Sequence, residues 1–118
     1  MKPTSLFCLI VLCFAICATG CQHNGQGAAQ QIKVVMRRYS FDPSVIRVKA
    51  GEPVALEVTT ADVQHGFDVP ELGIKESVQP GRTTTIQFTP SKKGEYKVKC
   101  GVICGPHHDD MTAKLVVD

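Results

Sequence analysis

Four side chains with soft donor atoms fall within twelve residues near the end of this 118-residue chain: Cys100, Cys104, His108 and Met111, spaced Cys-x3-Cys-x3-His-x2-Met. Two thiols, an imidazole and a thioether form a donor set that selects copper, with zinc as the main competitor. Gly101 and Gly105-Pro106 allow the backbone to bend between them. A strand therefore has to deliver Cys100, and another has to begin near Met111. A further imidazole, His65, sits far upstream in Asp62-Val63-Gln64-His65-Gly66-Phe67. If it joins the others, the site exists only after the chain has folded.

The first twenty residues stand apart from this arrangement. Met1-Lys2 starts a short positive region, and Leu6 to Ala18 is apolar but too short to span a bilayer comfortably. This is a signal-type leader. Ala18-Thr19-Gly20 before Cys21 resembles a bacterial lipobox, so the protein is expected to be exported and held at the outer or periplasmic face of a bacterial membrane through lipidated Cys21. Cysteine usage agrees with this division. Of six cysteines, Cys8, Cys13 and Cys17 leave with the leader, and Cys21 takes the lipid if the lipobox is real, an ordinary cleaved signal with an incidental cysteine being the other reading. Only Cys100 and Cys104 remain, too few for a disulfide framework. The formal net charge of +2 gives no reason to expect nucleic acid as a partner. Lys92, Lys93, Lys97 and Lys99 read as the solvated face of an edge strand.

Residues 21–31 are rich in Gln, Asn, Gly and Ala and read as a flexible tether in which His23 is silent. From Ile32 onward the pattern is β. Seven strands are predicted, over Ile32–Tyr39, Val45–Lys49, Val54–Thr59, Phe67–Val69, Thr83–Thr89, Glu95–Lys99 and Met111–Val117, separated by Pro/Gly turns. No stretch has a helical stripe. One domain over residues 32–118 follows, an all-β antiparallel sandwich or barrel. At about ninety residues such a domain is small enough for bound metal to add to its stability.

Tyr39-x-Phe41-x-Pro43, Ile46-x-Val48-x-Ala50-Gly51-Glu52-x-Val54 and Asp62-Val63-x-His65-Gly66-Phe67 resemble a cupredoxin. The Cys-x3-Cys-x3-His-x2-Met tail resembles the binuclear CuA site of cytochrome c oxidase subunit II and of nitrous oxide reductase. Leu72-Gly73-Ile74-Lys75 and Gln79-Pro80-Gly81-Arg82 resemble the oxidase subunit between its first histidine and its cysteine loop. The resemblance implies a Greek-key β-sandwich with two copper ions. Cys100 and Cys104 are the implied bridging thiolates, and His65 and His108 cap one copper each. Met111 and the Val102 backbone carbonyl are the implied weak ligands. His107 is left solvated. A single tetrahedral zinc, a mononuclear copper on Cys104, His108 and Met111, and a Cys100–Cys104 disulfide remain open beside this reading. Met111 alone also fits a core residue at a strand start.

The chain departs from the oxidase subunit in three ways. Its only apolar segment is the leader, Val102 stands where the oxidase has Glu, and there is no Trp for electron uptake. Tyr39, Phe41, Phe67 and Tyr96 are the candidate substitutes. These departures favour a membrane-tethered one-electron carrier, passing electrons between a c-type cytochrome and a terminal oxidase or reductase. A protein that stores or delivers Cu(I), and a detached oxidase subunit, are the other readings. None makes the chain catalytic by itself: no nucleophile–base pair or apolar carboxylate pair is visible, and Asp109-Asp110 reads as a docking rim or solvated loop.

Overall fold

The computed structural model describes residues 29–118. The predicted leader, Cys21 and all but the end of the tether lie outside the described residues. Nine strands follow in order: β1 (Gln30–Arg37), β2 (Ser40–Asp42), β3 (Val45–Val48), β4 (Val54–Thr60), β5 (His65–Val69), β6 (Ile74–Val78), β7 (Thr84–Phe88), β8 (Gly94–Lys99) and β9 (Thr112–Val117). Two single 3-10 turns, Pro70–Leu72 and His108–Asp110, interrupt them. β1 begins inside the stretch read as tether.

The strands form two sheets, ordered β2-β1-β4-β7 and β3-β9-β8-β5-β6. Alternation decides what each buries, because successive side chains point to opposite faces. β1 turns Val34 and Met36 inward, β4 Val54, Leu56 and Val58, β8 Tyr96 and Val98, and β9 Ala113, Leu115 and Val117. Phe41 of the first sheet meets Phe67 of the second edge-to-face, with centroids 6.0 Å apart, and joins the layers. β5 is buried along its whole length.

The all-β sandwich expected from the sequence is the fold observed, with three corrections. First, β1 pairs with β4 and β3 with β9 in parallel, whereas antiparallel pairing was expected. A period of two is the same in either direction, so alternation cannot report strand polarity. Second, β2 and β6 were not predicted. β2 is three residues long and stops before Pro43, and β6 has apolar residues only at its ends, Ile74 and Val78. Its place comes from backbone pairing to β5, from Val69↔Ile74 to His65↔Val78. Third, β8 lies between β9 and β5, so Lys97 and Lys99 sit on the exposed face of an interior strand, not on an edge.

Leu56 is fully buried in the centre of the first sheet. Leu56→Ala is expected to lower the unfolding free energy by about 2–5 kcal/mol, read by urea denaturation of the metal-free domain. A loss below about 1 kcal/mol would mean that the two sheets do not depend on this contact.

Candidate metal centre

β8 and β9 are paired to their last rung, Lys99↔Thr112, and the chain between them forms one closed loop. The Cys100 N–H donates to the Met111 carbonyl at 3.2 Å and shuts its mouth. Within the loop the His108 N–H donates to Gly105 O (3.1 Å) and the Met111 N–H to His108 O (3.2 Å). These bonds turn His108 back beneath Cys104. His65 arrives separately as the first residue of β5, after the 61–64 turn, and is fully buried.

The predicted donors converge. Cys100 Sγ and Cys104 Sγ are 3.8 Å apart, and both thiols are free and buried. His65 Nδ1 lies 3.8 Å from Cys100 Sγ, and His108 Nδ1 lies 3.8 Å from Cys104 Sγ. Met111 Sδ is 3.9 Å from Cys104 Sγ. The Cys100 thiol donates to the Val102 carbonyl at 3.0 Å. The donor atoms of His65, Cys100 and Cys104 all lie within 4.8 Å of one another. Two thiols, two imidazoles, a thioether and a carbonyl suit copper. His107 lies outside the group: its ring packs edge-on against Tyr39, centroids 5.2 Å apart, and most of its side chain is exposed. Met111 is core, with no exposed surface, and turns its sulfur toward Cys104.

Hydrogen bonds around this group orient it. Asp62 Oδ1 is 2.7 Å from His65 Nε2. A carboxylate only accepts, so in the neutral ring Nε2 carries the hydrogen and Nδ1 keeps its lone pair toward sulfur. Asp62 also accepts from the N–H groups of Arg38 (2.7 Å) and Val63 (2.6 Å). Burial alone would push its carboxyl up, but these bonds and the His65 ring outweigh it and hold the group well below the usual carboxylate range. The Gly66 N–H donates to Cys100 Sγ at 3.4 Å. Burial, reinforced by hydrogen bonding to Cys100 and by its charge, pushes the Cys104 thiol up to about 11. A polar cavity of about 300 Å³ on the outer face, lined by Asp68, Lys75, Lys97, Lys99 and Asp109, reaches Cys100 and His108. Sequence reasoning gave Asp62, Gly66 and Arg38 no role. For Asp62 a signal existed, a carboxylate three residues before a histidine.

Of the four aromatic residues considered for electron uptake, Phe41 and Phe67 are core, and Tyr96 is buried with its hydroxyl donating to Lys92 O at 2.6 Å. Tyr39 lies against the outer side of the 100–111 loop, touching His107 and Gly105.

A model of the cupredoxin-like domain matches residues 6–117. The chain is 33% identical over 86 residues to cytochrome c oxidase subunit 2 of Thermus thermophilus, a match spanning 73% of this chain and 64% of that one. With cytochrome c oxidase subunit 2 of a Synechocystis species the identity is 42% over 59 residues, half of this chain and 18% of the relative. The matched segment is thus under two thirds of each relative's length. The fold superposes on the periplasmic domain of cytochrome oxidase subunit II of Bradyrhizobium japonicum with a TM-score of 0.71, covering 77% of this chain and 85% of that domain. Sequence identity there is 23%, so this likeness is one of fold.

Gly66 is required by space. A Cβ there would lie 2.7 Å from Gly101 N and 2.8 Å from Val102 N, both backbone atoms of the ligand loop. Gly66→Ala is expected to displace that loop and weaken metal binding at least tenfold, while the β-sheet circular dichroism is kept; metal titration checks it. Unchanged affinity would show that β5 and the loop are not in contact. The depressed Asp62 carboxyl also gives a pH dependence. Its stabilisation is fully present above the unfolded value of about 4 and is lost as the pH falls below it. In metal-free protein, Asp62→Asn is expected to flatten this acid limb, measured by urea denaturation between about pH 6 and 2.

Proposed function

The chain belongs to the cupredoxin-like family, and from that premise we propose that it is an exported, membrane-tethered electron-transfer domain holding two copper ions in a CuA-type centre. One observation carries this reading: each thiol has its own imidazole and its own weak donor. Cys100 has His65 and the Val102 carbonyl, and Cys104 has His108 and the Met111 thioether. A single tetrahedral zinc would use two cysteines and two histidines and leave both weak donors surplus. A mononuclear site on Cys104, His108 and Met111 would leave Cys100 and His65 buried without a task. Two equivalent donor sets about one sulfur pair suit two ions. Homology to oxidase subunit 2 supports the same assignment.

When bound, such a copper pair supplies one-electron chemistry. In this reading Cys100, Cys104, His65 and His108 would hold the ions, with Met111 and the Val102 carbonyl as the weak donors. The chain's own contribution is to keep these groups fixed, so that little moves when an electron arrives or leaves. Asp62 holds the His65 ring and the Gly66 N–H stabilises the Cys100 sulfur. His108, with a side chain 19% exposed, Tyr39 beside the loop and the polar cavity at Cys100 link the site to the surface. Val102 in place of Glu, and the absence of Trp, separate this chain from an integral oxidase subunit. A c-type cytochrome and a terminal oxidase or reductase are the proposed redox partners. Residues 1–20 serve as a lipoprotein-type leader, Cys21 as the lipid attachment and the segment up to β1 as the tether.

Copper counting on variants tests the assignment. The wild-type domain is expected to hold about two copper ions per chain. Cys104→Ser should lose the paired site, because one of its two sulfurs is gone. Met111→Leu should keep both ions and shift the potential, because a weak donor at one end of the sulfur pair is removed. One copper per wild-type chain, or full loss of metal in Met111→Leu, contradicts the reading. Binding must release the Cys104 proton, so affinity should fall as the pH is lowered. Cys21→Ser is expected to move the protein from the membrane to the soluble fraction.

A further inference from the structure

Arg38 touches neither thiol, yet it joins the two chain segments that carry the candidate ligands. It sits just after β1, on the turn into β2. Its backbone N–H donates to Asp62 Oδ2 at 2.7 Å, and the other oxygen of that carboxylate lies 2.7 Å from the His65 ring. Its side-chain Nε donates to the Cys104 carbonyl at 2.8 Å, across 66 residues of sequence. The next residue, Tyr39, continues the contact with the loop by packing on His107 and closing over Gly105. One residue thus fastens His65 through Asp62 and the far arm of the cysteine loop through Cys104. Its guanidinium, a positive charge on an exposed residue, lies at the Cys104 end of the site.

We propose that Arg38 is a positioning residue of the metal centre: it clamps the ligand loop to the β1–β2 turn and sets the centre's reduction potential through its fixed positive charge. The charge part rests on the functional reading given above; the clamp does not. A hydrogen bond from a charged donor to a partly buried carbonyl is among the stronger kinds in a protein. A cation beside the site favours the state with one more electron, so Arg38 raises the potential.

Three proteins test this: wild type, Arg38→Met, which removes donor and charge at similar length, and Arg38→Lys, which keeps the charge and loses the Nε contact. Amide hydrogen exchange on the metal-free domain reads the clamp at His108 and Met111, whose N–H groups bond within the loop. Both variants are expected to exchange there faster, by roughly tenfold, with the β4 core unchanged. Potentiometry on the copper-loaded domain reads the charge. Arg38→Met should have a lower potential and Arg38→Lys one near wild type. Unchanged exchange in both variants overturns the clamp, and a potential unmoved in a copper-replete Arg38→Met protein overturns the electrostatic part. If Arg38→Met does not fold, Arg38→Lys decides the clamp by exchange, and Arg38→Gln, which also removes the charge, decides the electrostatic part: a lower potential supports it, and an unmoved one overturns it. A wild type that takes up no copper counts against the functional reading, and overturns the electrostatic part with it; the metal-free exchange still decides the clamp.

Discussion

The hydrogen bond from the Cys100 N–H to the Met111 carbonyl fixes where β8 ends and β9 begins, and the site depends on that boundary. Because the two strands are paired up to Lys99↔Thr112, the residues between them cannot spread. They fold into a loop whose ends are about one strand spacing apart. Cys100 and Met111 at its ends, with Cys104 and His108 between them, then point into the same space. The sheet provides rigidity that a loop alone would lack, since each strand is held by neighbours and by a close-packed core.

A second constraint comes from β5. It carries His65 to the loop, and Gly66 lets the two backbones approach so closely that a Cβ has no room. The cost of this arrangement falls on Cys104. Burial, with the Cys100 sulfur 3.8 Å away, pushes its thiol up to about 11. A bound cation reverses that balance, since a coordinating thiol gives up its proton. Metal binding and loop order therefore support each other, which matters in a domain with a small core.

Much of this was legible in the sequence, for identifiable reasons. Strands β1, β4, β8 and β9 declare themselves by alternation, and the ligand loop by the spacing of Cys100, Cys104, His108 and Met111. His65 was picked out by its imidazole and by the resemblance of its segment to a known one, not through periodicity. What stayed hidden depends on pairing between distant segments. β6 has an exposed middle and exists because β5 offers it an edge. The parallel pairings follow from which sheet each strand joins, and local pattern does not encode that. Arg38 reads in sequence as one more surface cation beside Arg37. Only the folded chain shows its Nε on a carbonyl 66 residues away. Asp62 likewise acquires its role from the Arg38 N–H and the buried ring it faces.

The central claim is that two equivalent donor sets about one sulfur pair hold two electronically joined metal ions. Electron paramagnetic resonance of the oxidised, copper-loaded wild-type domain tests it most directly. The account requires hyperfine structure from one unpaired electron shared equally between two copper nuclei. Splitting from a single nucleus would mean that Cys100 and His65 do not serve the metal, and the two-ion reading would be wrong.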